Sequence, residues 1–342
     1  MALRDLAGRW LPAPSRAEAP AEWLRRRGPG WRVVAGKELV DAVTSVRFLV
    51  LFIILALAAA APVYVTAGAI RDAADQVSGA PAVFLALFTL GRDPVPSFVS
   101  LVGFLAPLLG IAFGFDAINA ERAQGTLPRL VSQPIYRDDV INGKFVAGLA
   151  AIALTLVAMM LLVAGIGLLR LGIVPTVSEV VRLVVWLLVT ILYVGLWLAF
   201  SMLCSVVVRR AATSALLAIG LWLALTLFGV LLAQLLAGVL SPGTAGGVED
   251  QLAHARLEQQ LASLSPSTLY AQVTAVLLDP GTTIVGVPGL AELAQAQQQI
   301  PTQLSLDQSL LLAWPQVVIL VALTIFCFAA AYVVFLRQEV RA

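Results

Sequence analysis

Two glycine-lysine pairs are the positions at which this sequence could hold a phosphate group. A nucleotide-binding P-loop has the pattern GxxxxGK followed by Ser or Thr, because its backbone amides surround the phosphates and its hydroxyl meets magnesium. Gly36-Lys37 is followed by Glu38, and Gly143-Lys144 is followed by an aromatic residue. Neither pair has the first glycine of the pattern at the required distance. The sequence therefore predicts that the chain does not bind ATP through a P-loop.

The residue types that hold metals or act as nucleophiles are scarce. The single histidine, His254, lies in a polar stretch without a cysteine near it, which favours a solvated surface residue over a zinc site. Cys204 and Cys327 both lie inside apolar runs, where a thiol packs as a small hydrophobic group. We expect no catalytic residue, metal site or cofactor in this chain, and hence no enzyme.

The composition indicates the class of protein to which the chain belongs. The chain has 342 residues, of which 60% are hydrophobic and 12% charged, and its mean hydropathy is +0.93. A soluble domain carries roughly twice that share of charged residues. The formal net charge of +2 gives no reason to expect a nucleic-acid partner. The composition predicts an integral membrane protein.

Six apolar stretches are long enough to cross a bilayer, in which an open chain must be helical. They are residues 48–70, 97–118, 145–169, 183–208, 211–240 and 308–336. The predicted fold class is an all-α integral membrane protein with six transmembrane helices. The predicted divisions are a cytoplasmic tail with an interfacial helix (1–47), helices one to five (48–240), an extracytoplasmic helical cap (241–307), and helix six with the cytoplasmic C-terminus (308–342).

The positions of the 22 Lys and Arg residues predict the orientation. Most lie in the N-terminal tail, in the segment 119–144, at Arg209 and Arg210, and near the C-terminus. Because short cytoplasmic loops carry an excess of Lys and Arg, both termini are predicted to be cytoplasmic. High Ala and Arg usage with almost no Lys is typical of GC-rich prokaryotic genomes, so we expect the plasma (inner) membrane of a prokaryote.

Residues 31–47 are predicted to form an amphipathic helix that contacts membrane lipid at the inner interface. Its polar face includes Lys37 and Asp41, which are spaced as an i,i+4 ion pair. Its apolar face consists of Leu39, Val40, Val43 and Val46.

The predicted membrane-spanning cores lack ionisable residues. Ion-coupled carriers keep such residues near the membrane midplane, and the nearest one here, Asp116, lies at the end of the second stretch. Energy for transport would therefore come from another subunit. A secondary carrier or a membrane scaffold without an ATPase is a disfavoured alternative.

Small and polar residues within the spans have two possible roles. Gly110 and Gly114 form a GxxxG pattern that favours close helix packing inside the bundle. The polar residues could line a path or bond to neighbouring helices, and the second role is favoured; they are Thr155, Thr190, Tyr193, Ser201 and Gln234.

The segment 119–144 is the largest predicted cytoplasmic loop. Gly125 permits a tight turn after a helix, and a short second helix follows. Leu127, Leu130 and Val131 on that second helix could dock in a groove. Pro134 would end the helix. A plain solvated loop is the alternative.

This segment resembles the loop of the ABC-2 type export permeases, the membrane subunits of ABC transporters. In that family the loop after the second span runs D-x(4)-E-R/K-x(2)-G-T-L, then S-x-P, then R and G-K before the third span. The matching residues here are Asp116, Glu121, Arg122, Gly125, Thr126, Leu127, Ser132, Pro134, Arg137, Gly143 and Lys144. The family also has a "KEL" interfacial helix, matched by Lys37, Glu38 and Leu39, and a SerProSer-aromatic stretch, matched by Ser265, Pro266, Ser267 and Tyr270.

The resemblance implies that the loop is a coupling helix contacting a separate ATP-hydrolysing subunit. The residues expected to couple are Glu121, Arg122, Gly125, Thr126, Leu127, Leu130, Pro134 and Arg137; those of the interfacial helix are Lys37, Glu38, Leu39 and Asp41. The implied partners are two ATPase copies, which bind ATP and Mg²⁺, and a second permease copy or paralogue. The implied function is export, and the lack of charged residues along the spans favours a hydrophobic or amphipathic substrate.

The length of the segment 241–307 supports an alternative function. In having a long outer loop, the chain resembles the ABC-2 subgroup that contains the permease for copper-site maturation of nitrous oxide reductase. In this alternative the chain transmits mechanical work to an extracytoplasmic partner protein and moves no solute.

Overall fold

The computed structural model describes residues 30–72, 83–91, 94–125, 136–240, 248–278 and 305–338. These ranges contain eleven α-helices and no β-strand. The helices are α1 (Gly30–Val43), α2 (Val46–Asp72), α3 (Val83–Thr89), α4 (Phe98–Gly114), α5 (Asn119–Ala123), α6 (Arg137–Leu171), α7 (Val177–Val207), α8 (Ala211–Leu240), α9 (Val248–Ala262), α10 (Pro266–Leu278) and α11 (Leu306–Arg337). The predicted all-α fold class is confirmed.

Six helical segments are long and apolar enough to cross a membrane, as predicted. They are α2, α4 together with α5, α6, α7, α8 and α11. Of these, α7 is the most enclosed. In its 18-residue apolar stretch 67% of the residues are buried, whereas in those of α8 and α11 only 11% are. The bundle is therefore built around α7.

Two of these helices begin earlier than the hydropathy predicts. The helix α6 starts at Arg137 rather than residue 145, because Asp138 and Asp139 in its first turn favour a helix N-terminus. The helix α7 starts at Val177 because Thr176 and Glu179 form a capping box. Each helix thus begins in a polar segment that precedes the apolar stretch from which the span was predicted.

The bundle has two ends, which we name by the short helices that they hold. At the α5 end, the backbone amides of Ile118 and Asn119 donate to Ser205 Oγ near the end of α7, at 3.1 and 3.2 Å. At the α10 end, Arg182 near the start of α7 donates to the carbonyl oxygen of Leu277 at 3.0 Å. The two short helices thus lie at opposite ends of α7.

The glycines Gly110 and Gly114 lie where α4 meets α7. A Cβ atom on Gly110 would meet the Val194 carbonyl oxygen and lie 2.9 Å from the Leu198 amide nitrogen. A Cβ atom on Gly114 would lie 2.8 Å from the Leu198 carbonyl oxygen. The predicted close packing is confirmed, since only glycine permits this approach.

The helix α3 was not predicted from the sequence, because its apolar run is too short to cross a membrane. Its side chains Phe84 and Phe88 are each 1% exposed or less. The backbone amide of Phe84 donates to Glu179 Oε1 at 3.1 Å, so the same carboxylate caps α3 and α7. The result is a short helix held inside the α10 end.

Part of the predicted cap packs among the spans. The axes of α9 (from Ala253) and α10 form an angle of 107°. At their junction Ser265 donates to the Leu225 carbonyl oxygen of α8 at 3.0 Å, and the Tyr270 ring stacks on Tyr193 of α7 with centroids 4.4 Å apart. Residues 241–247 and 279–304 of the predicted cap lie outside the described residues.

The polar residues of the spans bond only in part to neighbouring helices, the role favoured from the sequence. Tyr193 and Ser201 donate to the carbonyl oxygens of Gly103 and Gly110 in α4, and Thr190 bonds to the Tyr270 hydroxyl of α10. Thr155 donates to Ala151 O within its own helix. The fifth, Gln234, is exposed on α8.

Candidate coupling junction

The helix α5 holds the predicted coupling residues Glu121 and Arg122. It has five residues, and a helix this short is unstable without tertiary contacts. Its position is therefore set by the side chains that fasten it to the rest of the bundle. Besides the bonds from the Ile118 and Asn119 amides to Ser205 Oγ, two groups of side-chain contacts do this.

The first group is the Lys144 junction, which consists of Lys144, Glu38 and Glu121. Lys144 Nζ lies 2.9 Å from Glu38 Oε1 and 3.3 Å from Glu121 Oε1. The exposed fractions of the side chains are 7% for Lys144, 14% for Glu121 and 24% for Glu38. One largely buried ammonium group thus joins α6, α1 and α5.

The second group is the Arg122 cluster, which consists of Arg122, Arg137, Gln338 and the carbonyl oxygen of Val206. Arg122 donates twice to Val206 O at 3.2 Å and also donates to Gln338 Oε1. Arg137 donates to Gln338 O at 3.2 Å, and Gln338 Nε2 donates to Val206 O at 2.8 Å. This cluster joins α5 to the ends of α7 and α11 and to the start of α6.

The helix α1 docks on α6 beside the Lys144 junction. A Cβ atom on Gly143 would lie 2.7 Å from Val34 Cβ and 2.9 Å from the Trp31 carbonyl oxygen. Val34 and Ala35 are the buried residues of α1. The missing side chain at Gly143 thus permits the close approach that brings Glu38 within reach of Lys144.

The polar face of α1 is the predicted one. Lys37 and Asp41 form the expected i,i+4 ion pair at 3.5 Å and are exposed, and Leu39 is half-buried. Val40 of α1 and Val46 at the start of α2, both on the predicted apolar face, are 61% and 75% exposed from the protein. Contact of this face with lipid stays a prediction, while α1 packs on the protein through Val34 and Ala35.

A further ion pair joins α2 to the end of α4. Arg47 pairs with Asp116, and its guanidinium lies over the Phe115 ring at 5.9 Å from the centroid. Asp116 is therefore engaged within the protein.

The turn that follows α5 contains Gly125, which has a φ of +64°. This left-handed conformation favours glycine, so the predicted tight turn is confirmed. Four predicted coupling residues, Thr126, Leu127, Leu130 and Pro134, lie outside the described residues.

The structure places the predicted site residues in two settings. Glu121, Arg122 and Arg137 contact other helices of their own chain, whereas Lys37 and Asp41 face outward. The sequence interpretation did not select Lys144 or Gln338 as site residues. Lys144 was visible as one of only two lysines in the chain, but nothing in the sequence pairs Gln338 with Arg122.

The metal-binding potential of the described residues is low. They contain no group of three or more His, Cys, Asp and Glu side chains placed to hold a metal ion. Cys204 and Cys327 are free thiols.

The fold and this junction define a multi-pass membrane protein whose short helix is fastened to several spans. The chain belongs to the ABC-2 family of transporter proteins, whose family model matches residues 32–340. It is 28% identical over 246 residues to the Probable ABC transporter permease protein NosY of Stutzerimonas stutzeri, covering 70% of this chain and 81% of that protein. It is 32% identical over 148 residues to the protein of that name from Pseudomonas aeruginosa, covering 43% of this chain and 46% of the relative.

Family membership makes this chain a non-catalytic transmembrane subunit of an ABC transporter. Membership also implies an ABC ATPase partner and pairing with a second permease.

Proposed function

We propose that this chain couples ATP hydrolysis in a separate nucleotide-binding subunit to export of a hydrophobic or amphipathic substrate across the plasma membrane of a prokaryote. Two ATPase copies bind ATP and Mg²⁺, and two permease copies, or this chain and a paralogue, form the membrane part. The α5 end faces the cytoplasm. Residues 241–307 face the opposite side.

The distribution of basic residues supports this orientation. The α5 end carries Arg32, Lys37, Arg47, Arg122, Arg137, Lys144, Arg209, Arg210 and Arg337, whereas the α10 end carries Arg71, Arg170, Arg182 and Arg256. An excess of Lys and Arg on one side is typical of the cytoplasmic side.

The observation that carries the proposed function is the fastening of α5. Glu121 bonds it to Lys144 of α6, and Arg122 bonds it to the ends of α7 and α11. A force applied to residues 126–135 would therefore reach several spans at once. Such a connection is what a subunit driven by an external ATPase requires.

The coupling residues accordingly have two roles in this proposal. Glu121, Arg122 and Arg137 position the loop through their contacts with other parts of the same chain. Residues 126–135, with Thr126, Leu127, Leu130 and Pro134, contact the ATPase.

The substrate class is inferred from the buried charges. Among the described residues, the buried charged side chains are Lys144, Glu179 and Arg182, each in the first turns of its helix. The middles of the described spans are apolar, which supports a hydrophobic or amphipathic substrate.

The double substitution Glu121→Ala with Arg122→Ala tests the coupling. We expect ATPase stimulation by the permease to fall to the basal level of the ATPase, because α5 loses the side-chain contacts that Glu121 and Arg122 make. The measurement is ATP hydrolysis by the purified complex in lipid, with size-exclusion profiles to verify the membrane fold. The matched control is Lys37→Ala with Asp41→Ala, which removes an exposed ion pair and should leave stimulation unchanged. Full stimulation in the first variant would remove these residues from the mechanism.

A second candidate function is mechanical transmission to an extracytoplasmic protein. It is favoured by the buried connection of α10 to the spans. Arg182 is 6% exposed and donates to Leu277 O in the last turn of α10 and to Ser309 Oγ of α11. Movement of α7 would therefore be passed to the segment between α8 and α11.

Replacing Arg182 with methionine tests this connection. We expect the melting temperature to fall by about 3–6 °C, because buried acceptors lose their donor. In a mechanical transmitter, the amount of extracytoplasmic protein that co-purifies should also fall, while the ATPase is retained. Arg256→Met on the exposed face of α9 is the control. Absence of any extracytoplasmic protein with the wild type would reject the second function.

A further inference from the structure

The side chain of Asn119, in the first turn of α5, is buried without hydrogen bonds. Asn119 is 2% exposed, and neither Oδ1 nor Nδ2 has a partner in the part of the chain that the structure describes. A carboxamide can accept two hydrogen bonds and donate two. The two atoms have almost no accessible surface, so water does not replace the missing partners. The burial of this group therefore destabilises the position in which α5 lies.

The other polar groups of this contact between α5 and α7 are bonded. The backbone amides of Ile118 and Asn119 donate to Ser205 Oγ at 3.1 and 3.2 Å, and Arg122 donates to the Val206 carbonyl oxygen at 3.2 Å. Asn119 is the only residue among those described that has two buried side-chain atoms without a partner. Because buried polar atoms are nearly always bonded, such an exception calls for an explanation.

A second unfavourable interaction acts on the same helix. The guanidinium group of Arg209, in the turn between α7 and α8, repels that of Arg122. The acceptors that Arg122 contacts, Val206 O and Gln338 Oε1, carry no formal charge that would offset this repulsion. Arg209 is exposed and has no carboxylate within ion-pair distance among the described residues. Like charge thus opposes the same position of α5.

Displacement of α5 from α7 would relieve both effects. It would admit water to the Asn119 carboxamide and increase the distance between the two guanidinium groups. A buried polar group without partners changes the ratio of two positions by about five- to 150-fold, in favour of the position in which it is bonded. The contacts of Glu121 and Arg122 meanwhile hold α5 in place. The helix is thus held in a position that its own first turn destabilises.

We propose that Asn119 is a positioning residue of the coupling mechanism, and that its buried carboxamide makes α5 easier for the ATPase to displace. Asn119 acts through the position of α5 and contacts neither the ATPase nor the exported molecule. This role rests on the proposed function, whereas the strain at Asn119 is measurable without ATP. Loss of the contacts of Glu121 and Arg122 destabilises this position of α5, and loss of the Asn119 carboxamide stabilises it.

The test is Asn119→Leu in the purified complex in lipid nanodiscs, with melting temperature and permease-stimulated ATP hydrolysis measured on the same sample. Leucine has the same branched heavy-atom shape as asparagine and no polar atom, so it removes the unbonded groups without leaving a cavity. We expect the melting temperature to rise by about 2–4 °C and ATPase stimulation to fall about tenfold. Loss of a merely structural contact would lower both.

Ser214→Ala is the matched control for this substitution. Ser214 Oγ is also buried without a partner among the described residues, but it lies on α8. Removing this hydroxyl should not lower the melting temperature and should leave ATPase stimulation unchanged. Loss of stimulation in Ser214→Ala would show that relief of any buried unbonded group slows the complex, which would overturn the assignment to Asn119.

Arg209→Gln tests the second effect without altering a buried group. Because Arg209 is exposed, the substitution leaves the packing of the bundle intact. We expect ATPase stimulation to fall about twofold, since the repulsion that favours displacement of Arg122 is lost. The control is Arg210→Gln at the adjacent exposed arginine, which does not repel Arg122 to the same extent and should leave stimulation unchanged.

The outcomes separate this proposal from the proposed function. A lower melting temperature in Asn119→Leu, or loss of the monodisperse protein, would show that the carboxamide stabilises α5 and would overturn the proposal. A higher melting temperature with full stimulation would overturn the role in coupling. Equal losses in Arg209→Gln and Arg210→Gln would reject the contribution of Arg209. If the wild-type permease does not stimulate hydrolysis, it is the proposed function that fails, whatever the melting temperatures are.

Discussion

Replacing Lys144 with methionine is expected to lower the melting temperature by about 5 °C or more and to reduce ATPase stimulation about tenfold. Methionine keeps the length of the side chain but removes the ammonium group between Glu38 and Glu121. Removing one partner of a buried ion pair costs about 3–5 kcal/mol, because the remaining charge is left uncompensated. Here two carboxylates would be left near each other without the ammonium group, and α5 would lose the link to α1 and α6 that Lys144 makes.

The Lys144 substitution has a control and a rescue. Lys37→Met removes the other lysine, whose side chain is 66% exposed, and should change the melting temperature by less than about 2 °C. Adding Glu38→Gln and Glu121→Gln to Lys144→Met removes both carboxylates and should restore most of the stability. Thermal unfolding in lipid measures the three variants. An unchanged melting temperature in Lys144→Met would show that the junction does not stabilise the fold.

Replacing Gly110 with alanine is expected to have the second large effect. The added methyl group would meet the backbone of α7 at Val194 and Leu198, and neither backbone atom can rotate away. Overpacking of this kind costs about 1–3 kcal/mol or more. Because α7 is the centre of the bundle, we expect loss of most of the monodisperse protein in size-exclusion chromatography.

Gly68 provides the matched control for Gly110. It lies in the α2 span, and a Cβ atom there would meet nothing within 4 Å. Gly68→Ala should therefore leave the yield unchanged, as alanine is the better helix former. Equal yields for the two variants would contradict the close packing of α4 on α7.

The sequence predicts the membrane-spanning helices well, because an apolar run of bilayer length has one structural solution. The predicted span 211–240 coincides with α8, and the turn glycine Gly125 has its expected conformation. Helix starts are predicted less well. Polar residues such as Asp138, Asp139 and Glu179 extend α6 and α7 beyond their apolar windows.

The contacts of the junction could not be predicted from one sequence. Lys144 meets Glu38 across 106 positions, and Arg122 meets Gln338 across 216. Such pairs depend on how the helices pack, which hydropathy does not specify. The same reason hides the packing of α10, because the apolar residues of a predicted cap helix fit a surface helix as well as one that packs among spans.

The central claim is that an external ATPase acts on this chain through the segment that follows α5. The most direct measurement is purification of the tagged protein from its native membrane in mild detergent, with identification of the co-purifying proteins and assay of vanadate-sensitive ATP hydrolysis. The account predicts a co-purifying ATP-binding subunit with vanadate-sensitive activity. A protein that purifies without any ATP-binding subunit, under conditions that preserve known membrane complexes, would contradict it.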